Sequence, residues 1–206
     1  MFRVDTQGKT ASKNYVIRVH DQPAGIAAAA WNALLGEQAS ATPFMRHEYL
    51  TALHESGSAT AETGWRPQFL SVCEGDTLVA ACPLYIKDHS YGEYVFDWAW
   101  ADAYRRHGLD YYPKLLAAVP FTPVPGPRLL ARTADSRLAL LSGMQQLATQ
   151  AGLSSAHLLF LDEADSVAAR EAGWMMRTTV QFHWTNREPT PYADFGDFLS
   201  SLQREK

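Results

Sequence analysis

Cysteine is scarce. The chain has two in 206 residues, Cys73 and Cys82, both in apolar runs and without the companions of a zinc site. Buried reduced thiols are the expectation, with a disulfide as the alternative. An excess of positive charge is also lacking. A net charge of −4 gives no broad basic surface for nucleic acid, so no DNA partner is expected. No hydrophobic run is long enough to cross a bilayer. The longest small-apolar stretch, Ala24 to Leu35, is broken by Gly25 and Asn32. The opening MFRVDTQGKTASKNY is polar and has no signal-peptide core, so a cytoplasmic location is expected. The seven histidines are scattered. With no His-Glu-x-x-His, no paired-carboxylate spacing and no Gly-x-Ser-x-Gly elbow, neither a metal centre nor a serine-hydrolase site is expected. Internal repeats and low-complexity segments are absent as well.

What the chain does have is a 47% hydrophobic, 19% charged composition, ordinary for a globular protein with a sizeable core. It also has one unusual stretch, GEYVFDWAWADAYRRHGLDYYPKL, from Gly92 to Leu115. Seven large rings lie close together there, threaded with Asp97, Asp102, Arg105, Arg106, His107 and Asp110. A core strand would alternate and stop, and a surface loop would carry fewer rings. The stretch reads as the wall of a site.

Around it, periodicity predicts strands at Tyr15–His20, Lys114–Val119, Arg128–Ala131, Ala156–Leu161 and Trp174–Trp184. Pro67–Cys73 and Leu78–Ile86 flank a Gly75 turn and predict a hairpin. Helices are predicted at Pro23–Leu35, Phe44–Glu55, Thr133–Ala151 and Asp162–Ala172, and one opens at DFGDFLSSLQREK under Asp194 or Asp197. That order predicts an α/β (α+β) protein with a mixed sheet and helices on both faces.

The order resembles the acyltransferase fold of the GNAT superfamily, and VAAREAGWMMR (Val167 to Arg177) resembles its late helix. More specifically the chain resembles FemAB-like proteins of the peptidoglycan biosynthesis/recognition group. The residues that carry this are PFMRHEYLTALHESGSA, GWRPQ, YIKDHSYGEYVFDWAWADAY, YYPKLLAAVPFTPVPGPRLL and QFHWTN. The resemblance implies a central, mostly antiparallel sheet, a GNAT-like N-terminal domain over residues 1–193, and a linking helix from 194 to 206 leading to a second GNAT-like half. It implies acyl transfer from a thioester or ester donor, such as acetyl-CoA or another acyl donor, to an amine acceptor. Two features depart from the acetyl-CoA pattern. The Arg/Gln-x-x-Gly-x-Gly/Ala loop that cradles a pyrophosphate is replaced by GPRLLARTA, and Ala169 stands where many of those enzymes have a tyrosine acid.

Acyl transfer to an amine needs a base and donors for the oxyanion. Asp97, between Phe96 and Trp98, is a candidate base or ammonium anchor, with a helix cap as its plain alternative. Gln181, His183 and Trp184 alternate with Phe182. His183 is the second candidate base, against a strand histidine bonded to backbone. Asn186 falls in the same block. Tyr94, Trp98, Trp100, Tyr104, Tyr111 and Tyr112 are candidate stacking residues, against a core or an interface. Lys87 and Glu93 follow a strand where a loop would start. Phe121, Thr122 and Arg128 belong to the proline-rich loop that faces the site in the resembling group, against a rigid crossover. Arg105 and Arg106 would suit a phosphate, or are plain helix charges. Two functions follow: an N-acyltransferase, or a non-catalytic module recognising a cell-wall precursor or amino-sugar. A surface that only docks a partner half is the third.

Overall fold

A computed structural model describes residues 2–4, as backbone, and residues 14–202. Most of the polar opening segment and the end of the stretch DFGDFLSSLQREK, from residue 203, where the linking helix is expected to continue, lie outside the described residues. The chain divides into two compact units after Met175. The first opens with β1 (Phe2–Val4), β2 (Tyr15–His20), α1 (Ala28–Gly36) and α2 (His47–Glu55). Next come β3 (Arg66–Pro67), β4 (Phe69–Glu74), β5 (Thr77–Cys82), β6 (Tyr85–Lys87) and α3 (Trp98–Arg106). It ends with β7 (Lys114–Ala117), β8 (Leu130–Ala131), α4 (Ala134–Gln150), β9 (Ala156–Leu158) and α5 (Glu163–Glu171). The second unit contains α6 (Phe195–Ser201), capped by Asp194, whose carboxylate accepts from the Asp197 N–H.

The α+β class and the mostly antiparallel pairing agree with the sequence reading. The strands form two sheets, one ordered β1-β2-β4-β5-β8 and one ordered β3-β6-β7-β9. All described pairs are antiparallel except β7 with β9. The expected long strand Leu78–Ile86 is split between the sheets. Pro83, which has no N–H to give a ladder, sits between β5 and β6. Gly75, at φ 58°, closes the β4–β5 hairpin.

Helices cover both faces, so the strands alternate between two cores rather than between core and water. In β7, Leu115 and Ala117 join the core under α4, while Leu116 joins the core under α1 and α2. Phe69 and Leu70 divide the same way in β4, as do Leu129 and Leu130 before and in β8. Trp31 of α1 is fully buried, lies 5.7 Å from the Phe69 ring and donates to the Met45 carbonyl at 2.8 Å. Burying a ring of that size contributes roughly 4–6 kcal/mol.

Two helix expectations shorten. Pro23–Leu35 breaks into a 3-10 turn and α1, because Ile26 adopts an extended conformation (φ −119°) that buries its side chain. Phe44–Glu55 likewise breaks at extended Arg46. The strand expected at Trp174–Trp184 is corrected: among the described residues those positions carry no strand. An alternating pattern becomes a strand only where another strand offers a hydrogen-bonding edge, and none pairs with this segment. Val180, Phe182 and Trp184 are exposed along it.

Candidate functional site

The aromatic stretch does not fold as one wall. Its outer rings stay in solvent: Tyr94 is 60% exposed, Trp98 61% and Phe96 90%. Tyr91 stands edge-on to Trp98 at 6.3 Å and 5.0 Å from His89, so three rings form an open shelf. Trp100 is exposed too, and Tyr104 is half-buried against Tyr111 at 5.2 Å.

Beneath the shelf lies a buried charge network (Lys87, Glu93, Asp97 and Lys114, each at most 3% exposed). Two lysines arrive from neighbouring strands. Lys87 ends β6, Lys114 begins β7, and the two are directly paired in the ladder. The carboxylates arrive from the loop that follows β6. The three N–H bonds of the Lys114 ammonium reach Asp97 Oδ2 at 2.7 Å, Glu93 Oε2 at 2.9 Å and Ser90 Oγ at 2.9 Å. Tyr111 donates to Asp97 Oδ2 at 2.9 Å, and Ser90 donates to it at 2.8 Å. Lys87 lies 3.7 Å from the centroid of the fully buried Trp65 ring and donates to the Tyr91 carbonyl at 3.3 Å. Glu93 Oε1, Asp97 Oδ1 and Trp65 Nε1 are buried with no hydrogen-bond partner.

These surroundings set the charges. Burial pushes the Lys87 amine down to about 8, against the pull of Glu93 and with the repulsion of Lys114. Burial pushes the Glu93 carboxyl up, against Lys114. Burial also acts on Asp97, but the hydrogen bond and charge of Lys114, with Ser90 and Tyr111, outweigh it and hold Asp97 below the usual carboxylate range. The aromatic neighbours therefore do not raise Asp97. Asp97 occupies the residue before α3, yet its side chain makes no cap bond. Its carboxylate is an anchor inside the network rather than a cap.

Lys87 and Glu93 therefore belong to the floor of the site. Phe121 is half out of the surface at 42% exposure, packs on Trp65 at 5.6 Å, and closes over Gly92. Tyr94 and Phe121 both adopt left-handed backbone, at φ 56° and 57°, which is costly for an aromatic residue. Thr122 is buried and bonded to the Pro120 carbonyl and the Tyr49 hydroxyl, and so serves the loop.

Arg128 turns inward on its own loop. It is wholly buried and donates to the carbonyls of Val124, Gly126 and Pro127. An arginine spent on its own loop's carbonyls presents no fork to a ligand. Arg105 and Arg106 both pair with Asp102 on their own helix. His183, Trp184 and Asn186 are exposed in the second unit, and Gln181 there is half-buried. Asn186 accepts from the Arg187 and Tyr192 N–H groups. Cys73 and Cys82 are free and buried, as expected.

A cavity of about 550 Å³ lies elsewhere in the first unit, beside the starts of α4 and α5. Ser40, Arg137, Leu138, Asp162, Glu163, Val167 and Glu171 are among its lining. Its lining does not suit a pyrophosphate. Three carboxylates face the space. Its one cation, Arg137, is held by Asp165 at 3.0 Å and Gln38 at 2.9 Å. The cap bonds of Thr133 and Asp162 already use N–H groups at both helix starts.

The residues missed by sequence are Lys114, Ser90 and Trp65. Lys114 begins a run, KLLA, that otherwise reads as pure core, and the only signal was its place at a strand end. Among the described residues no cluster suited to a metal occurs, and no helix is long and apolar enough to cross a membrane. A family model described as FemAB-like, peptidoglycan biosynthesis/recognition, matches residues 22–206. No curated protein matches the chain significantly.

Proposed function

We propose, for a chain that belongs to the FemAB-like family of peptidoglycan biosynthesis/recognition, that it holds the amine-side partner of an N-acyl transfer, a cell-wall precursor or amino-sugar compound, on the shelf of His89, Tyr91 and Trp98. The observation that carries this reading is the pairing of solvent-facing rings with a buried, charge-balanced floor. Large rings left in water favour the apolar face of a sugar, and their polar edges orient its hydroxyls. The floor keeps the shelf in place. Lys114 ties Ser90, Glu93 and Asp97, three points of one loop, to the start of β7. Acyl transfer itself needs a neutral amine and a held oxyanion. Asp97 accepts three donors on Oδ2 and is held below the usual carboxylate range, which makes it a poor base, so the role assigned to this shelf is recognition and orientation.

The test is an NMR titration of the chain with N-acetylglucosamine and with a muramyl peptide, following the Trp98 indole signal. Saturable movement of that signal, with an affinity about tenfold weaker (1.4 kcal/mol) in Trp98→Ala as read from neighbouring amide signals, supports the reading. An unmoved Trp98 signal with both compounds overturns it.

A further inference from the structure

Ser90 sits at the foot of the shelf, between His89 and Tyr91 in the chain, and its protons can be counted. The Asp97 carboxylate is ionised and can only accept. A serine hydroxyl has one proton, and Ser90 gives it to Asp97 Oδ2 at 2.8 Å. Its oxygen receives Lys114 at 2.9 Å. The remaining contact, 2.7 Å to the Tyr112 hydroxyl, must then be donated by Tyr112. The direction of the whole chain is fixed: Tyr112 to Ser90 to Asp97. The tyrosine proton points inward, and its oxygen keeps its lone pairs for something else. Tyr112 is half-buried, with its ring edge-on to Tyr111 at 5.0 Å. A hydroxyl that donates into such a chain is a better acceptor than an isolated one.

We propose that the Tyr112 hydroxyl oxygen is a ligand-binding acceptor at the edge of the shelf, and that it takes a neutral donor, a hydroxyl or an amide N–H, from the bound saccharide or peptide. This rests on the recognition reading above. Neutrality follows from the neighbours. The Lys114 ammonium lies 5.5 Å from the Tyr112 ring centroid, and Lys87 is paired with Lys114 in the ladder. The nearby carboxylates, Glu93 and Asp97, are already paired with Lys114, so a ligand ammonium at Tyr112 would find no uncompensated anion to offset its lost hydration, whereas a neutral donor needs none.

The test uses the chain with its tyrosine ring carbons labelled beside the hydroxyl, the Tyr112 signal being identified with Tyr112→Phe. N-acetylglucosamine is titrated, and separately glucosamine at a pH where it is protonated. The expected result is a shift of the Tyr112 signal with N-acetylglucosamine, and weaker binding of protonated glucosamine. Tyr112→Phe, which removes one hydrogen bond and no bulk, should weaken N-acetylglucosamine roughly three- to tenfold. Ser90→Ala should move the Tyr112 signal without ligand. Movement of Trp98 with Tyr112 unmoved, and unchanged affinity in Tyr112→Phe, overturns this inference and leaves the shelf standing. Tighter binding of protonated glucosamine overturns the neutral-donor assignment. Stillness of both signals overturns the shelf and Tyr112 together.

Discussion

Lys87 and Lys114 face each other as direct partners across the β6–β7 ladder, and both are buried. Like charges so placed are unfavourable, and burial adds the loss of hydration. The fold answers each lysine differently. Lys114 has a partner for every N–H bond, two of them carboxylates. Lys87 has a ring face, one carbonyl, and an amine lowered to about 8. So the two positions carry different work: one fastens the loop, and the other carries an amine that burial lowers.

Lys114→Met should be the more damaging substitution. It leaves Glu93 and Asp97 buried without their cation, a change that typically costs about 3–5 kcal/mol. Urea unfolding followed by tryptophan fluorescence measures it. Adding Glu93→Gln and Asp97→Asn should recover part of the loss, since fewer uncompensated charges remain. A single Lys114→Met within about 1 kcal/mol of the parent would contradict the hub role.

Lys87 predicts a pH dependence with a definite sign. In the unfolded chain the amine titrates near 10.5, and in the fold near 8. Between those values the unfolded state binds more protons, so stability rises with pH. The buried Cys82 thiol is pushed above its ordinary 9.0 and opposes this at higher pH. The readout is therefore the difference between the parent and Lys87→Met across the window from 8 to 9. The parent should gain stability relative to the variant as pH rises.

Much of the scaffold was legible because it obeys short-range rules. Tyr15–His20 alternates and pairs over its full length with β4. Thr133 and Asp162 precede their helices and cap them. The site was less legible, because its logic is cross-strand. Nothing local to YIK or KLLA says that their two lysines become ladder partners, or that a loop will fold back to neutralise one of them. Asp97 stood out in the sequence for its aromatic neighbours, yet its environment is set by Lys114, 17 positions away. The failure at Trp174–Trp184 has the same origin. Periodicity reports which residues share a face, not whether a neighbouring strand exists.

Asp165 gives a second, independent pH test. Its carboxylate is fully buried and accepts from the Arg128 and Leu129 N–H groups and from Arg137. Burial raises it to about 6, from an ordinary 3.8. Between these values the folded state binds the extra proton, so this group adds stability as pH falls from 6 toward 4. Asp165→Asn should remove that contribution, and parallel pH–stability curves for parent and variant would refute it.

Gly92 tests the contact between the shelf's loop and Phe121. It has φ 79°, and an added Cβ would stand 2.5 Å from the Phe121 ring. Gly92→Ala should therefore destabilise by about 1–3 kcal/mol, through strain and through displacement of Phe121. Ligand binding should weaken with it if Phe121 helps hold the loop. A Gly92→Ala protein with unchanged melting temperature would mean that the ring moves aside freely.

Trp65 and Trp98 separate structure from recognition most cleanly. Trp65 is fully buried, edge-on to Tyr85 at 5.2 Å and under the Lys87 ammonium. Trp65→Ala removes a core ring and the aromatic face under Lys87, and should cost about 3–5 kcal/mol. Trp98 is 61% exposed and stands edge-on to Tyr91. Trp98→Ala should stay within about 0.5 kcal/mol of the parent in unfolding experiments, while binding N-acetylglucosamine about tenfold more weakly. A ring held in water by a buried floor, dispensable for folding yet important for binding, is what a recognition surface demands. If Trp98→Ala unfolds the chain as readily as Trp65→Ala, the ring is structural and the shelf has no separate function.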